Sequence, residues 1–390
     1  MKNAWPIKKL GEVCDIEMGQ SPDGRSYNSQ GKGTPLINGP VEFSGGPFGR
    51  TIRSKFTNQP TKLCTENDLI LCVRGSTTGR TNIAAFDACI GRGVAAIRAK
   101  EYQPWINYFI VSNRQEIYRL GTGATFPNVS RSMLGELRLP MPPVSEQERL
   151  VCILDRAFAA IATARANTEK NLQNARAMFQ SELQCVFAGE CNAFPIVKLS
   201  EITSDITDGD HLPPPKSATG VPFITIGNIL KGTRQIDFSD TFKVPRDYFE
   251  SLKPNRKPRK GDVLFTVTGS FGIPVLVDSS AEFCFQRHIG LVRPKHETDS
   301  KWLYYLMSSP LIFRQADERA SGAAQRTVSL QSLRNFGVPK TPAPQQQTTA
   351  RRLDLLSSQM DRLAGNYQER LFLLDELKAS LLHIAFTGRL

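Results

Sequence analysis

At 390 residues and 43.3 kDa, with 40% hydrophobic and 22% charged residues, the chain is long enough for two domains or more and too apolar for wholesale disorder. Lys and Arg number 49 against 37 Asp and Glu, which gives a net charge of +12, a pI near 9.4 and a bias toward polyanionic partners. No run approaches the roughly 18 continuous apolar residues of a membrane span; the first residues carry no apolar signal core, and the 8 cysteines include no C-x-x-C pair, so the expectation is a cytoplasmic protein with free buried thiols and neither a disulfide framework nor a zinc site.

In chain order, the first element is Trp5-Pro-Ile-Lys-Lys-Leu-Gly-Glu-Val13, an aromatic-proline opening that turns into a helix or strand. Up to residue 144 the chain is rich in Gly, Pro and Thr, with short β-branched runs between loops. Leu69-Ile-Leu-Cys-Val73 predicts a buried strand. A proline-rich hinge, Leu139-Pro-Met-Pro-Pro-Val144, ends this region, and the periodicity then changes. Ser145-Glu-Gln-Glu148 supplies an N-cap serine and early carboxylates, so a helix is expected over Ser145–Ala188, stopped by Gly189. Its seam steps by three and four through Leu150, Ile153, Ala157, Ile161, Ala164, Thr168, Leu172, Ala175, Phe179, Leu183 and Val186.

The second half repeats the first. Phe194-Pro-Ile-Val-Lys-Leu-Ser-Glu-Ile202 matches the opening at a spacing of 189 residues, and Pro222-Phe-Ile-Thr225 matches Pro35-Leu-Ile-Asn38. Gly261-Asp-Val-Leu-Phe-Thr-Val-Thr-Gly-Ser270, with a second expected strand at Val263–Val267, matches Asn67-Asp-Leu-Ile-Leu-Cys-Val-Arg-Gly-Ser76. Arg287 and Arg293 match Arg92 and Arg98, Trp302-Leu-Tyr-Tyr305 matches Trp105-Ile-Asn-Tyr108, and Gly322, Val328-Ser329 and Leu333 match Gly123, Val129-Ser130 and Leu134. The offset drifts to 199 and then holds. After a second hinge, Val338-Pro-Lys-Thr-Pro-Ala-Pro344, a helix is expected over Pro344–Thr387, with Gly388 as its stop and a seam of Leu353, Leu356, Met360, Leu363, Tyr367, Leu371, Leu374, Leu377, Leu381 and Ile384.

Both halves are basic: residues 1–189 hold 23 basic and 16 acidic groups, and 190–390 hold 26 and 21. A repeat this long is a duplicated module of domain size rather than a solenoid unit. The fold class expected is α/β (α+β): two similar globules, 1–144 and 191–343, each followed by a helical spacer, 145–190 and 344–390. One-sided helices of about 66 Å, at 1.5 Å per residue, cannot stand alone in water, so they are expected to pair antiparallel as a coiled coil with pseudo-two-fold symmetry. Two like basic globules on a rigid spacer suit a pseudo-symmetric polyanion such as duplex DNA.

In this order, and twice, the segments resemble the specificity (S) subunit of Type I restriction-modification systems over the whole chain. The resemblance is carried by the two openings, by Gly19-Gln-Ser-Pro22, by Thr207-Asp-Gly-Asp-His211 before Pro213, and by Val221-Pro-Phe-Ile-Thr-Ile-Gly-Asn-Ile229. It is also carried by the hinges Pro140-Met-Pro-Pro-Val-Ser-Glu-Gln-Glu148 and Pro339-Lys-Thr-Pro-Ala-Pro-Gln-Gln-Gln347, and by the ending Ala385-Phe-Thr-Gly-Arg-Leu390. Two positions depart from the pattern: Gln345 stands where the first hinge has Glu146, and the usual Asp-Gly-Thr-His reads Asp208-Gly-Asp-His. The resemblance implies a subunit without catalysis of its own, in which each target-recognition domain reads one half of an asymmetric bipartite DNA site. The helices Ser145–Ala188 and Pro344–Thr387 would fix the gap and dock two adenine-N6 methyltransferase (M) subunits, joined by ATP-dependent endonuclease (R) subunits. S-adenosylmethionine, ATP and Mg²⁺ are implied for those partners and no cofactor for this chain. The alternative is a coiled-coil adaptor of a phage-defence complex without two-site DNA reading.

Several loops carry the candidate DNA contacts. Gly19-Gln-Ser-Pro-Asp-Gly-Arg-Ser26 is one substitution from a Walker A loop, with Arg25 in place of the phosphate-reaching Lys, but Pro22 and the glycine-rich continuation remove the helix N-terminus that would cradle phosphate. Gln20 and Ser21 are therefore read as a turn, either on a DNA-facing rim or plain surface. Arg74, Ser76, Thr77, Arg80 and Arg92 in the first half, and Ser270, Arg287 and His288 in the second, offer hydroxyls, backbone N–H groups and guanidiniums to phosphate or guanine, with a solvated loop as the alternative. His211 is a base contact or part of a structural turn; two carboxylates and one imidazole are too few for a metal site. Arg256, Lys257, Arg259 and Lys260, the densest basic run, are assigned to phosphate. No methyltransferase motif, complete P-loop or nuclease cluster is visible.

Overall fold

The computed structural model describes residues 5–121, 127–211, 213–322 and 325–390; Gly123, one member of a matched pair, lies outside the described residues. The chain divides into two compact units, Met1–Thr168 with Glu369–Leu390, and Glu169–Gln368. Each unit therefore holds one globule and one end of each long helix.

In the first unit, β1 (Cys14–Met18), β2 (Leu69–Cys72), β3 (Thr81–Ile83) and β4 (Val94–Ala99) form an antiparallel sheet in the order β1-β4-β2-β3. Alternation along the strands sends residues to two different cores. Leu69, Leu71, Ala95 and Ile97 meet Trp105, Phe109 and the long helices, whereas Ile70, Cys72, Val94 and Ala96 meet Ile37, Cys64, Ala88 and Ile90 of a smaller five-stranded sheet. A strand buried on both faces needs no polar residue, which is why 69–73 reads as an unbroken apolar run.

The first long helix, α1, spans Val144–Ala193. The second unit repeats the sheet with β5 (Thr203–Asp208), β6 (Val263–Thr266), β7 (Pro274–Leu276) and β8 (Ile289–Pro294) in the order β5-β8-β6-β7, and the second long helix, α2, spans Ala343–Phe386. The helices run antiparallel within each unit. In the first, Leu150 and Leu154 of α1 share a core with Leu382 and Ala385 of α2, and Arg165 pairs with Asp375 at 2.6 Å. In the second, Leu183 and Phe187 share a core with Ala350 and Leu353, and Glu182 pairs with Arg352. The fold is thus the expected duplicated α/β pair with two long antiparallel helices.

Four details differ from expectation. Ser145 does not cap α1: the helix begins one residue earlier, and the Glu146 and Gln147 N–H groups donate to the Pro143 carbonyl. Gly189 does not stop α1, which continues to Ala193 because the extra turn buries the Glu190 carboxylate against the Trp302 indole N–H (3.0 Å) and the Thr341 and Thr349 hydroxyls (both 2.8 Å). Gly388, by contrast, lies beyond Phe386 at φ 68°, the left-handed conformation a C-terminal stop requires. Leu377 is 47% exposed: in this turn Lys378, Leu382 and Ala385 take the inward stripe, since a straight helix of 3.6 residues per turn drifts off a strict heptad. Finally, Cys14, Cys64, Cys72, Cys89 and Cys284 are buried, but Cys152 and Cys185 are exposed on the outer side of α1. No helix among the described residues is long and apolar enough to cross a membrane.

Candidate nucleic-acid interface

Antiparallel pairing brings several loops to one end of each main sheet. In the first unit the register sets Val94 opposite Cys72 and Ala95 opposite Met18, so the exits of β1 and β2, the entry to β3 and the entry to β4 coincide. Loops 19–22, 74–80 and 91–93 meet there. The Gln20 N–H donates to the Ile90 carbonyl (2.9 Å), the Arg92 N–H to Ser21 Oγ (3.2 Å) and the Val73 N–H to the Gly93 carbonyl (2.9 Å). Gly19 makes the approach possible, since a Cβ there would sit 2.1 Å from the Gly91 carbonyl oxygen. Gln20, Arg74, Ser76, Arg80 and Arg92 are exposed on this rim, with Ser21 and Thr77 half-buried. After Pro22 the chain makes only a three-residue 3-10 turn, Gly24–Ser26, capped by Asp23, before entering a short strand.

The second unit reproduces the arrangement with one change, a backbone carbonyl taking the Arg287 N–H where a serine hydroxyl takes that of Arg92. The Asp210 N–H donates to the Phe285 carbonyl (3.0 Å), the Arg287 N–H to the Asp210 carbonyl (3.0 Å) and the Val267 N–H to the His288 carbonyl (2.9 Å). Gly209 takes the place of Gly19, with a Cβ position 1.9 Å from the Phe285 carbonyl oxygen. Below the sheet end, the Gly75 N–H meets the Pro127 carbonyl and the Gly269 N–H the Arg326 carbonyl, both at 3.0 Å. His211, Ser270 and Arg287 are exposed and His288 half-buried.

Two carboxylates organise the second rim. His211 Nε2 lies 2.8 Å from Asp208 Oδ2, and the Arg256 guanidinium lies 3.6 Å from Asp208 Oδ1. The Tyr248 hydroxyl donates to Asp210; burial, with that bond and the carboxylate charge behind it, pushes the phenol above its ordinary range. Among the described residues no group of three His, Cys, Asp or Glu could hold a metal ion.

The basic run at 256–260 is divided by the fold. Arg256 reaches the rim through Asp208, while half-buried Lys257 donates to the Glu250 carbonyl and lies 5.0 Å above the Phe249 ring. Arg259 and Lys260 are exposed but stand just before β6, at the opposite end of the sheet from Ser270 and His288, because Arg259 is tied there by its N–H to Asp262. The run is therefore not one patch. Sequence reading missed the part played by Trp105, Tyr108 and their matches: the Tyr108 hydroxyl donates to Asp155 (2.6 Å) and the Tyr305 hydroxyl to Asp354 (2.7 Å), fastening each globule to a long helix. The repeated Trp-x-x-Tyr spacing was the available signal.

A family model described as "Type I restriction modification DNA specificity domain" matches residues 2–173 and again 199–369. The chain is 22% identical to the EcoBI type I restriction enzyme specificity subunit of Escherichia coli over 420 aligned residues, covering 100% of this chain and 86% of that one. It is 34% identical over 151 residues to a protein of Methanocaldococcus jannaschii named as the MjaX type I restriction enzyme specificity subunit, a match spanning 37% of this chain and 35% of that relative. Among solved structures, one from a study of complex assembly and conformational transition of the type I R-M system superposes with a TM-score of 0.79 at 19% identity, covering 100% and 99% of the two chains. The HsdS subunit of Thermoanaerobacter tengcongensis follows at 0.58 and 18%, covering 100% and 98%. With the specificity domain present twice and the matching fold along its whole length, the chain belongs to the family of type I restriction-modification DNA specificity subunits.

Proposed function

We propose that this chain is the DNA-reading subunit of a Type I restriction-modification complex, each globule reading one half of an asymmetric bipartite site through its rim of loops. The observation that carries the reading is the repetition, at the same end of both main sheets, of three loops joined by two pairs of equivalent backbone bonds and bearing exposed Arg, His, Ser and Gln side chains. Exposed guanidiniums and amides suit guanine and adenine edges, and small hydroxyl residues with free N–H groups suit phosphate. The helices set the gap and offer docking surface: Phe372, Leu373 and Leu377 on α2 are 63%, 56% and 47% exposed, an apolar strip that water alone leaves unsatisfied. Two methyltransferase subunits are assigned to the helices and endonuclease subunits to the resulting core. Catalysis, S-adenosylmethionine, ATP and Mg²⁺ belong to those partners, in the cytoplasm.

The test is exchange of residues 191–343 for those of a relative, followed by mapping of methylated adenines in cells that supply the partner subunits. One half of the modified site is expected to change while the other half and the gap persist. A change of both halves together would sink the modular reading, and an adaptor without two-site reading would leave the modified sequence untouched.

A further inference from the structure

The first unit contains a cleft of about 1040 Å³ whose charge is one-sided. It is lined by Arg80 of the rim, by Arg114, by Arg138 and, from α2, by Lys378 and Asp375. The carboxylate is already occupied by Arg165 at 2.6 Å. Arg80, Arg114 and Arg138 are exposed and, among the described residues, have no hydrogen bond or ion pair to any side chain.

The duplication shows which of these charges the fold itself needs. Arg80 accepts the Cys72 N–H through its carbonyl as Ile273 accepts that of Thr266. Arg114 packs its Cγ beside Gly79 as Phe313 packs its ring beside Gly272. Arg138 pairs with Lys9 on the opening strand as Gly337 pairs with Lys198. Lys378 precedes buried Leu382 by four residues as Phe179 precedes Leu183. At all four places the second unit carries an uncharged residue on the same backbone, and Phe271 stacks against Phe313 with centroids 6.1 Å apart. Two cations do stand in the second unit, Arg176 at the place of Asp375 and Arg314 at that of Gln115, and Arg314 is bonded to Gln184 at 3.0 Å. The backbone therefore tolerates uncharged residues at these four positions; Lys378 lies 4.8 Å over the Phe158 ring, whereas Arg80, Arg114 and Arg138 answer to something outside the fold.

We infer that this cleft binds the phosphate backbone of duplex DNA flanking the half-site read by residues 1–144, with Arg114 and Arg138 as the residues that hold it. The cleft is continuous with the rim through Arg80, and guanidinium forks match phosphate oxygens. These contacts carry no sequence information; they fix the register of the first globule on the duplex. The contact is one-sided, so protection extends further along the duplex beside the first half-site than beside the second.

This inference rests on the DNA-reading function, and its test separates the two. The complex reconstituted with its methyltransferase subunits is titrated with a duplex carrying the site found by methylation mapping, using the double variant Arg114→Gln, Arg138→Gln; Gln keeps the Cγ that covers Gly79. Each lost phosphate contact removes about 0.9 from the slope of log K against log salt, so a fall of about 1.8 is expected. Phosphate ethylation should cease to interfere at phosphates beside the first half-site, the same adenines should be methylated, and the Arg→Lys double variant should restore most of the slope. An unchanged slope and interference pattern would overturn the inference. So would loss of co-purification with the partner subunits, which would assign the cleft to protein. No salt-dependent DNA binding by the unsubstituted complex would instead refute the DNA-reading function.

Discussion

Trp105 and Trp302 occupy the same place in the two units and are held by different chemistry. Trp105 packs against Phe386 and Trp5, with centroids 4.4 and 6.3 Å away, and gives its indole N–H to the Pro140 carbonyl. Trp302 packs against Phe187 at 6.1 Å and gives its N–H to Glu190, a carboxylate that also takes two threonine hydroxyls. The neighbouring glutamines differ likewise: Gln346 Oε1 accepts the Asp299 N–H at 2.7 Å, whereas buried Gln147 Oε1 has no hydrogen-bond partner among the described residues. What the duplication keeps is backbone register and the position of large side chains. The polar groups that close each joint have changed freely, because any set that satisfies the buried donors serves.

The widest expected divergence concerns a pair both units share. Arg98 clasps Asp68 through two bonds of 2.8 and 2.7 Å, and Arg293 clasps Asp262 through two of 2.9 and 2.7 Å. The Arg98 side chain is 48% exposed and that of Arg293 only 12%. Asp262→Ala leaves a mostly buried guanidinium with the Lys257 carbonyl at 2.9 Å and the Asp205 carboxylate at 4.0 Å as its remaining partners and is expected to cost about 3–5 kcal/mol; Asp68→Ala frees an arginine that can turn to water and should cost about 1–3 kcal/mol. Denaturant unfolding of the full chain measures both, and equal losses would show that exposure of the arginine does not govern the pair.

A smaller effect tests where the units agree. Tyr108→Phe and Tyr305→Phe each remove one hydroxyl donated to a carboxylate, so each should lower stability by roughly 1.5–3 kcal/mol. Thermal unfolding with losses that differ by more than the spread of that range would mean the two fastenings are not equivalent.

The smallest effects are those of the thiols. Burial pushes Cys14 and Cys284 up to about 12, and Cys64 and Cys72 up to about 11, from an ordinary 9.0. A raised native pKa favours the protonated thiol in the folded state, so this contribution is complete below pH 9 and is lost as pH rises toward about 11–12. Stability should fall over that alkaline window, and less steeply in Cys14→Ser than in the parent chain. In the native state at neutral pH, exposed Cys152 and Cys185 should be alkylated while these four resist; labelling of Cys284 at their rate would place it outside the core.

Much of this architecture was legible because duplication turns one sequence into two aligned ones. The apolar runs 69–73 and 263–267 marked the central strands, since burial on both faces leaves no polar alternation to obscure them. The matched arginines Arg98 and Arg293 could be found but not interpreted, because their aspartates lie about 30 residues away in sequence. The end of α1 was misplaced for a similar reason: only the fold brings Thr341, Thr349 and Trp302 to Glu190. The basic run 256–260 looked like one patch in sequence and is split by Asp208 on one side and Asp262 on the other. Arg114 and Arg138 carried no motif. Only the comparison with Phe313 and Gly337 exposes them.

Leu382 and Ala385 complete the core that Leu10, Leu150 and Leu154 begin. On the ribosome that core must therefore wait for about 230 further residues after Leu154, which at 5–20 residues per second is roughly 10–45 s of synthesis. Throughout this interval the inner stripe at the start of α1 is without its partner helix. The first globule emerges early yet finishes folding last, so its newly made apolar surface is the part of the nascent chain most dependent on protection by a chaperone.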